Sequence, residues 1–248
     1  MSPLLAVPPA CELAPPPEEA LFLSCALIPT YDNPLTVAEV VRSAQRHLPV
    51  IVIDDGSGPE AAAILRRLPG VHLIRHPENR GKGVALRTGF AAARALGFTH
   101  AISLDADGQH YPDDLPALVQ ASLEDPCALV LGVRDLAAAG AGWGSRFGCW
   151  LSNAWLRRVG GPVLPDTQTG FRVYPLTQIA TLDLQGERYD LEVEVLARAA
   201  WAGVPLRSHP IRVRYFPRAE RVSHMGVLAM ARVASAWLSL LWERLRSD

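Results

Sequence analysis

The residues best placed for chemistry lie in Ser103-Leu104-Asp105-Ala106-Asp107-Gly108-Gln109-His110, at the end of a predicted buried strand. In extended chain, residues two apart share a face, so Asp105, Asp107 and Gln109 converge while Ala106 points away. Oxygen ligands of this kind suit Mg²⁺ or Mn²⁺, which keep coordination positions for water and phosphate oxygens. The segment reads as a metal–diphosphate site. In isolation it would read as an Asp-Gly turn, with Asp113 or Asp114 capping the next helix.

A second acidic pair, Asp54-Asp55-Gly56-Ser57, follows another apolar run. One carboxylate there could accept hydrogen bonds from a base or a ribose hydroxyl while the other caps the helix opening at Pro59; an Asp-Gly turn with a cap explains the pair equally well. Ile28-Pro29-Thr30-Tyr31 adds a rigid backbone and an aromatic ring that could line a base pocket. Asn79-Arg80-Gly81-Lys82-Gly83 fails the Walker pattern, because Gly83 stands where Ser or Thr should follow the lysine. Arg80 and Lys82 at a helix N-terminus could still help to hold an anion.

These clusters need a frame that presents them on one side. Short apolar runs alternate with segments of helical periodicity, the pattern of strands and crossover helices in an α/β sheet. Strands are predicted at 23–28, 50–53, 71–75, 100–104 and 128–132, with helices at 34–47, 59–68, 81–96 and 112–123, three of which open on proline. The polar clusters all fall after strands, where open α/β sheets bind ligands. Further on, 166–174 reads as a loop entering a strand, and 189–202 and 222–246 read as helices. No linker divides the chain.

Composition agrees. With 248 residues, 49% of them hydrophobic, the chain can close a real core, which excludes disorder and collagen-like fibres. Lys and Arg number 24 against 25 Asp and Glu, a net charge of −1, so a protein devoted to nucleic acid is not expected. Cys11, Cys25, Cys127 and Cys149 have neither zinc-site pairing nor disulfide density, which favours a reduced, cytoplasmic setting. Residues 1–20 read as a flexible leader rather than a signal peptide, for they carry no Lys or Arg and hold a triple proline.

The stretches IPTYDN (28–33), VIDDGS (52–57), NRGKGVALRTGF (79–90), LDADGQH (104–110), SRFGCWLSN (145–153) and DTQTGFRVYP (166–175) occur in that order. Together they resemble the inverting family 2 glycosyltransferases of the GT-A fold, especially the dolichol-phosphate and polyprenyl-phosphate sugar transferases. The resemblance implies a three-layer α/β fold with a mostly parallel sheet over residues 21–220. It also implies transfer of a sugar from a nucleoside diphosphate donor, of UDP or GDP type, to a lipid phosphate or glycolipid acceptor. Pro29, Tyr31, Asp54, Asp55, Lys82 and Asp105 match nucleotide-holding positions, and Asp105, Asp107 and Gln109 match the motif that binds Mg²⁺ or Mn²⁺. Asn33 stands where many such enzymes place a glutamate.

On the acceptor side, Arg134 and Arg146 match arginines that meet the acceptor phosphate, Asp166, Gln168 and Arg172 lie in the acceptor loop, and Arg212 or Arg214 joins them. Asp107, Asp166, Arg134 and Arg146 are the residues expected to carry catalysis. An ionised phosphate acceptor needs no general base; a hydroxyl acceptor would, with Asp166 as the candidate. Glu192 and Glu194 match an acidic helix near this site. Residues 209–224, with Arg218, Glu220, Arg221 and His224, match a mobile loop that closes over donor. The rivals are a family 2 transferase acting on a hydroxyl and, in another class, a non-catalytic nucleotide-sugar-binding module.

The last helix, within residues 221–248, carries a narrow polar stripe of Arg232, Ser235, Ser239, Glu243 and Arg246. Leu228, Val233, Trp237, Leu238, Leu241, Trp242 and Leu245 cover the rest. Packing on the domain, a homodimer contact and the membrane interface are the three ways to cover such a face; the last would put Trp237 and Trp242 at headgroup level, on the inner face of the cell membrane. Arg232, Glu243 and Arg244 interrupt it too often for a membrane span.

Overall fold

The computed structural model describes residues 22–137, 140–214 and 227–247. The expected leader lies outside the described residues, as do Arg218, Glu220, Arg221 and His224 of the expected closing loop.

Seven strands form one sheet: β1 (Ser24–Thr30), β2 (Val50–Asp54), β3 (Val71–Arg75), β4 (His100–Ser103), β5 (Leu129–Arg134), β6 (Arg172–Pro175) and β7 (Leu206–Ile211). Their order is β3-β2-β1-β4-β6-β5-β7, and only β6 runs against its neighbours, between β4 and β5. The helices are α1 (Val37–Gln45), α2 (Pro59–Arg66), α3 (Lys82–Ala95), α4 (Leu115–Glu124), α5 (Trp143–Arg158), α6 (Leu176–Ile179), α7 (Asp190–Trp201) and α8 (Val227–Ser247).

Period-two alternation in the strands feeds two cores. Ala26 and Ile28 of β1 face α1 and α4, whereas Cys25 and Leu27 face α3 and the layer that α7 and Leu240 of α8 complete. Gly89 lets α3 lie close on β1, since a Cβ there would drive into the Leu27 side chain. The result is the expected three-layer plan. The order of strands reverses between β1 and β4, so the crevice for a ligand opens beyond their C-terminal ends.

Several boundaries differ from expectation. α1 starts at Val37 rather than Pro34, because the Asn33 carbonyl accepts the Val37 N–H across a turn. Pro112 opens a 3₁₀ turn over Pro112–Asp114, after which α4 begins. β7, with Pro210 tolerated at a sheet edge, and the 16-residue α5 had no counterpart among the expected elements.

α8 packs on the domain, one of its three expected fates. Leu240 is buried, and Arg198 of α7 bonds Glu243 at 3.0 Å. Trp237 is half-buried, stacked on Trp155 of α5 at 5.6 Å with its carbonyl accepting the Trp155 Nε1–H, so it does not stand at a headgroup-level surface; Leu238, Trp242 and Leu245 are exposed. Among the described residues, no helix is long and apolar enough to cross a membrane.

Candidate active site

The side expected to hold donor is built from three loops beyond β1, β2 and β4. Asp32, held at φ 48°, accepts the Gly58 N–H at 2.7 Å, and its own N–H donates to Ser57 Oγ at 3.0 Å. These two bonds zip the loop after β1 to the loop after β2. Asn33 Nδ2 donates to the Tyr31 carbonyl at 3.0 Å, while its Oδ1 and Thr30 Oγ1 are buried without a partner, on the loop that carries Tyr31.

The Asp54-Asp55 pair is buried and turned inward. Asp54 accepts the Ser57 N–H at 2.9 Å and pairs with Arg75. Asp55 receives Arg80 N–H at 3.0 Å, Gly81 N–H at 2.7 Å and the His76 ring at 2.7 Å. Neither carboxylate caps α2, and Gly58, the residue just before it, gives its N–H to Asp32 instead. Both act on the loops around them: Asp54 shapes its own turn, and Asp55 holds the start of α3.

Asp105, Asp107 and Gln109 stand half-exposed in the loop after β4. Asp107 Oδ1 accepts the Gln109 N–H at 2.9 Å, and Thr36 Oγ1 donates to the Ala106 carbonyl at 2.6 Å, tying this loop to the N-cap of α1. Burial and the neighbouring charge of Asp105 push the Asp107 carboxyl up to about 6. Burial would raise Asp105 too, but Lys82 outweighs it and holds that carboxyl below its usual range.

Lys82 lies 2.6 Å from Asp105 and 2.9 Å from Glu192 of α7. Their negative charges overcome its desolvation and keep it protonated. It sits at the N-terminus of α3, as expected, but its ammonium is directed to carboxylates. Tight backbone packing fixes its place: a Cβ on Gly81 or Gly83 would strike the 186–188 turn.

The side expected to meet acceptor comes from the chain around β6. Because β6 runs antiparallel, the loop before it lies directly over the ends of β4 and β5. Asp166 in that loop is fully buried and takes a two-point grip from Arg134, Nε at 2.6 Å and Nη2 at 3.0 Å. Its Oδ1 also accepts the Gln168 N–H at 3.0 Å. Burial alone would raise its pKa, yet these bonds hold it below the usual carboxylate range, which makes Asp166 a weak base. Arg172, expected to touch acceptor, is instead fully buried. Its guanidinium donates to the carbonyls of Thr169, Glu192 and Thr167 at 2.7, 2.6 and 2.9 Å, so it shapes the loop from below. Arg212 grips Asp114, and so is tied to the turn before α4 rather than to Arg134. Gln168 and Arg146 are exposed, Arg146 in the first turn of α5. Glu194 bonds Arg198 and the N–H groups of Gln185 and Gly186.

The two sides meet at Gly170. A Cβ there would lie 2.5 Å from Asp105 Oδ2 and 2.9 Å from Lys82 Nζ, so the loop that carries Asp166 rests on the carboxylate of the Asp-x-Asp segment. His110, buried and held down to about 4 mainly by desolvation, feels the charges of Asp105, Arg134, Lys82 and Asp166 together. Asp105, Glu192 and Asp166 thus gather with Lys82 and Arg134 beyond the switch point of a mostly parallel sheet.

Comparison with known proteins agrees: residues 25–175 match the family described as glycosyl transferase family 2. The chain belongs to that family. Among curated relatives of this glycosyltransferase, the undecaprenyl-phosphate mannosyltransferase of Micrococcus luteus is 28% identical over 237 residues, 89% of this chain and 96% of that one. The UDP-N-acetylglucosamine–dolichyl-phosphate N-acetylglucosaminyltransferase of Methanococcus voltae is 28% identical over 219 residues, 76% of this chain and 84% of that one. The crystal structure of S. aureus TarS 1-349 in complex with UDP shares the GT-A-like fold at a TM-score of 0.56 and 12% identity, over 88% of this chain and 65% of that one.

Asp32, Thr36 and Gly170 were missed in the sequence. Asp32 and Thr36 carried the usual signal, short polar side chains just before a helix, but their partners lie 26 and 70 positions away. Gly170 carried none.

Proposed function

We propose that this glycosyltransferase moves a sugar from a UDP- or GDP-type donor to a polyprenyl phosphate at the cytoplasmic face of a membrane. The observation that carries the reading is the seating of the Asp166 loop, with Arg134, directly on Asp105. The names of the relatives supply the acceptor class.

Asp105, Asp107 and Gln109 would hold Mg²⁺ or Mn²⁺. The fit rests on their chemistry: two carboxylates and an amide oxygen, half-exposed in one loop, where burial and then the charge of Asp105 raise the Asp107 carboxyl. Such a cation neutralises charge growing on the diphosphate as the glycosidic bond breaks. Pro29 and Tyr31 line the base side, on a backbone held by Asp32, Asp54 and Asp55. Lys82 stays beside Asp105 and balances its charge.

Arg134 and Arg146 orient the acceptor phosphate. An oxygen of that phosphate bonds to the anomeric carbon as the bond to the diphosphate breaks, and the nucleoside diphosphate leaves. The phosphate arrives ionised, so no proton has to be removed. Asp166 positions Arg134 instead of serving as a base, and Arg172 supports the loop. The hydroxyl-acceptor alternative would need a stronger base than a buried, arginine-paired carboxylate.

The test is a transfer assay with labelled UDP- and GDP-sugars, offering undecaprenyl phosphate or the corresponding free alcohol. Product is expected from the phosphate and not from the alcohol, and Arg134→Ala and Arg146→Ala should weaken use of the phosphate more than binding of donor. Equal turnover of the alcohol would overturn the reading.

A further inference from the structure

Helix α5 has two unlike faces. The inner one carries Cys149, Ser152 and Leu156, all buried, and holds the acceptor loop: Asn153 Oδ1 accepts the Thr167 N–H at 3.0 Å, and Cys149 Sγ lies 3.4 Å from Asp166. The outer one carries Trp143, Phe147, Trp150 and Leu151, spaced as one helical stripe. All four are exposed, Trp143 at 79% and Trp150 at 60%, and the three rings form a continuous ridge, with centroids 5.2 Å and 5.7 Å apart. Water solvates such a ridge poorly, and contiguous exposed aromatics mark an interaction surface.

Charge decides between partners. Residues 143–158 contain Arg146, Arg157 and Arg158 and no acidic residue. Arg157 and Arg158 follow Trp150 and Leu151 by seven positions, which puts them on the same stripe, and both are exposed. Indole rings followed by arginines on one face match a bilayer interface with anionic headgroups, where rings sit at the acyl boundary and guanidinium groups meet phosphate. Against a second copy of the same helix packed in parallel, the arginines would face one another.

We propose that the outer face of α5 is the membrane-docking surface of this protein, with Trp143, Phe147 and Trp150 entering the headgroup region of an anionic bilayer. This rests on the polyprenyl-phosphate reading, since docking there brings lipid to the helix whose other face holds the Asp166 loop. Leu238, Trp242 and Leu245 are also exposed, on α8, the helix joined to α5 through Trp155 and Trp237.

Vesicle sedimentation tests it on the full chain, with phosphatidylcholine alone or mixed three to one with phosphatidylglycerol. Wild type should pellet with the anionic vesicles. A triple Trp143→Ser, Phe147→Ser, Trp150→Ser variant should lose more than about tenfold in partitioning, and Arg157→Gln with Arg158→Gln should lose the anionic preference. Because these side chains are exposed, the fold should survive; Trp143→Ser alone provides a milder check. Equal partitioning of wild type and triple variant would overturn the proposal, as would a lipid-independent dimer that the triple variant abolishes. Turnover of a short, water-soluble prenyl phosphate separates the two ideas. If wild type docks through the ridge but neither protein uses that acceptor, the acceptor reading fails while the docking surface stands.

Discussion

Two carboxylate pairs follow neighbouring parts of the same sheet and read much alike, Asp54-Asp55-Gly56 after β2 and Asp105-Ala106-Asp107-Gly108 after β4. In the folded chain they do different work. Asp54 and Asp55 are 1% and 3% exposed, and their oxygens bind backbone N–H groups, Arg75 and His76. The side chain of Asp105 is 27% exposed, and its partners are the side-chain ammonium of Lys82 and the packed Gly170 loop. Asp54 and Asp55 are each held by backbone N–H groups and a basic side chain, whereas Asp105 and Asp107 lie half-exposed in the turn after β4, where Asp107 Oδ1 accepts the Gln109 N–H. The first pair is tied into the loops around it, and in the proposed reading the second meets metal and diphosphate.

The contrast can be broken by substitution. Asp107→Ala should have the largest effect, lowering sugar transfer by about 10³-fold, or about 4 kcal/mol of barrier, with thermal unfolding nearly unchanged. Asp55→Asn should do the reverse. It weakens two backbone bonds and the contact with His76, so calorimetric melting should show a loss of about 2–3 kcal/mol in stability. If Asp55→Asn left the melting temperature untouched, the division of labour would be wrong.

Gly170→Ala sharpens the comparison further. The added methyl must displace the Asp105 carboxylate or the Lys82 ammonium, so Mn²⁺ affinity read by titration should fall about tenfold, while circular dichroism stays native.

Asp166→Asn should produce the smallest change, and its pH dependence carries the information. Asp166 is held below the usual carboxylate range, so its charge stabilises the fold above the unfolded pKa of about 4. The variant's deficit, about 1–2 kcal/mol, should be complete above that pH and shrink as pH falls through the lowered folded value. A deficit that grew on acidification would contradict the Arg134–Asp166 grip.

Much of the first half was legible because local signals agreed there. β1, β2 and β4 are short apolar runs buried on both faces, and each ends in a polar cluster that the sheet gathers at one end. α5 was not legible: its two glycines and four tryptophan or phenylalanine residues are poor helix formers, and it is held by tertiary packing of Cys149, Ser152 and Leu156. Arg172 and Asp166 were expected on the acceptor side, but their partners were not readable. A buried arginine and an exposed one look the same in sequence, and only the antiparallel insertion of β6 decides which carbonyls surround it. The same holds for Arg212, whose partner Asp114 lies 98 positions away.

The most direct test of the central claim is calorimetric titration of UDP and GDP into wild type and Asp107→Ala, with and without Mn²⁺. Binding of one nucleotide to wild type that requires Mn²⁺ and disappears in Asp107→Ala is the predicted result. Nucleotide binding of equal strength in both proteins, indifferent to metal, would contradict it.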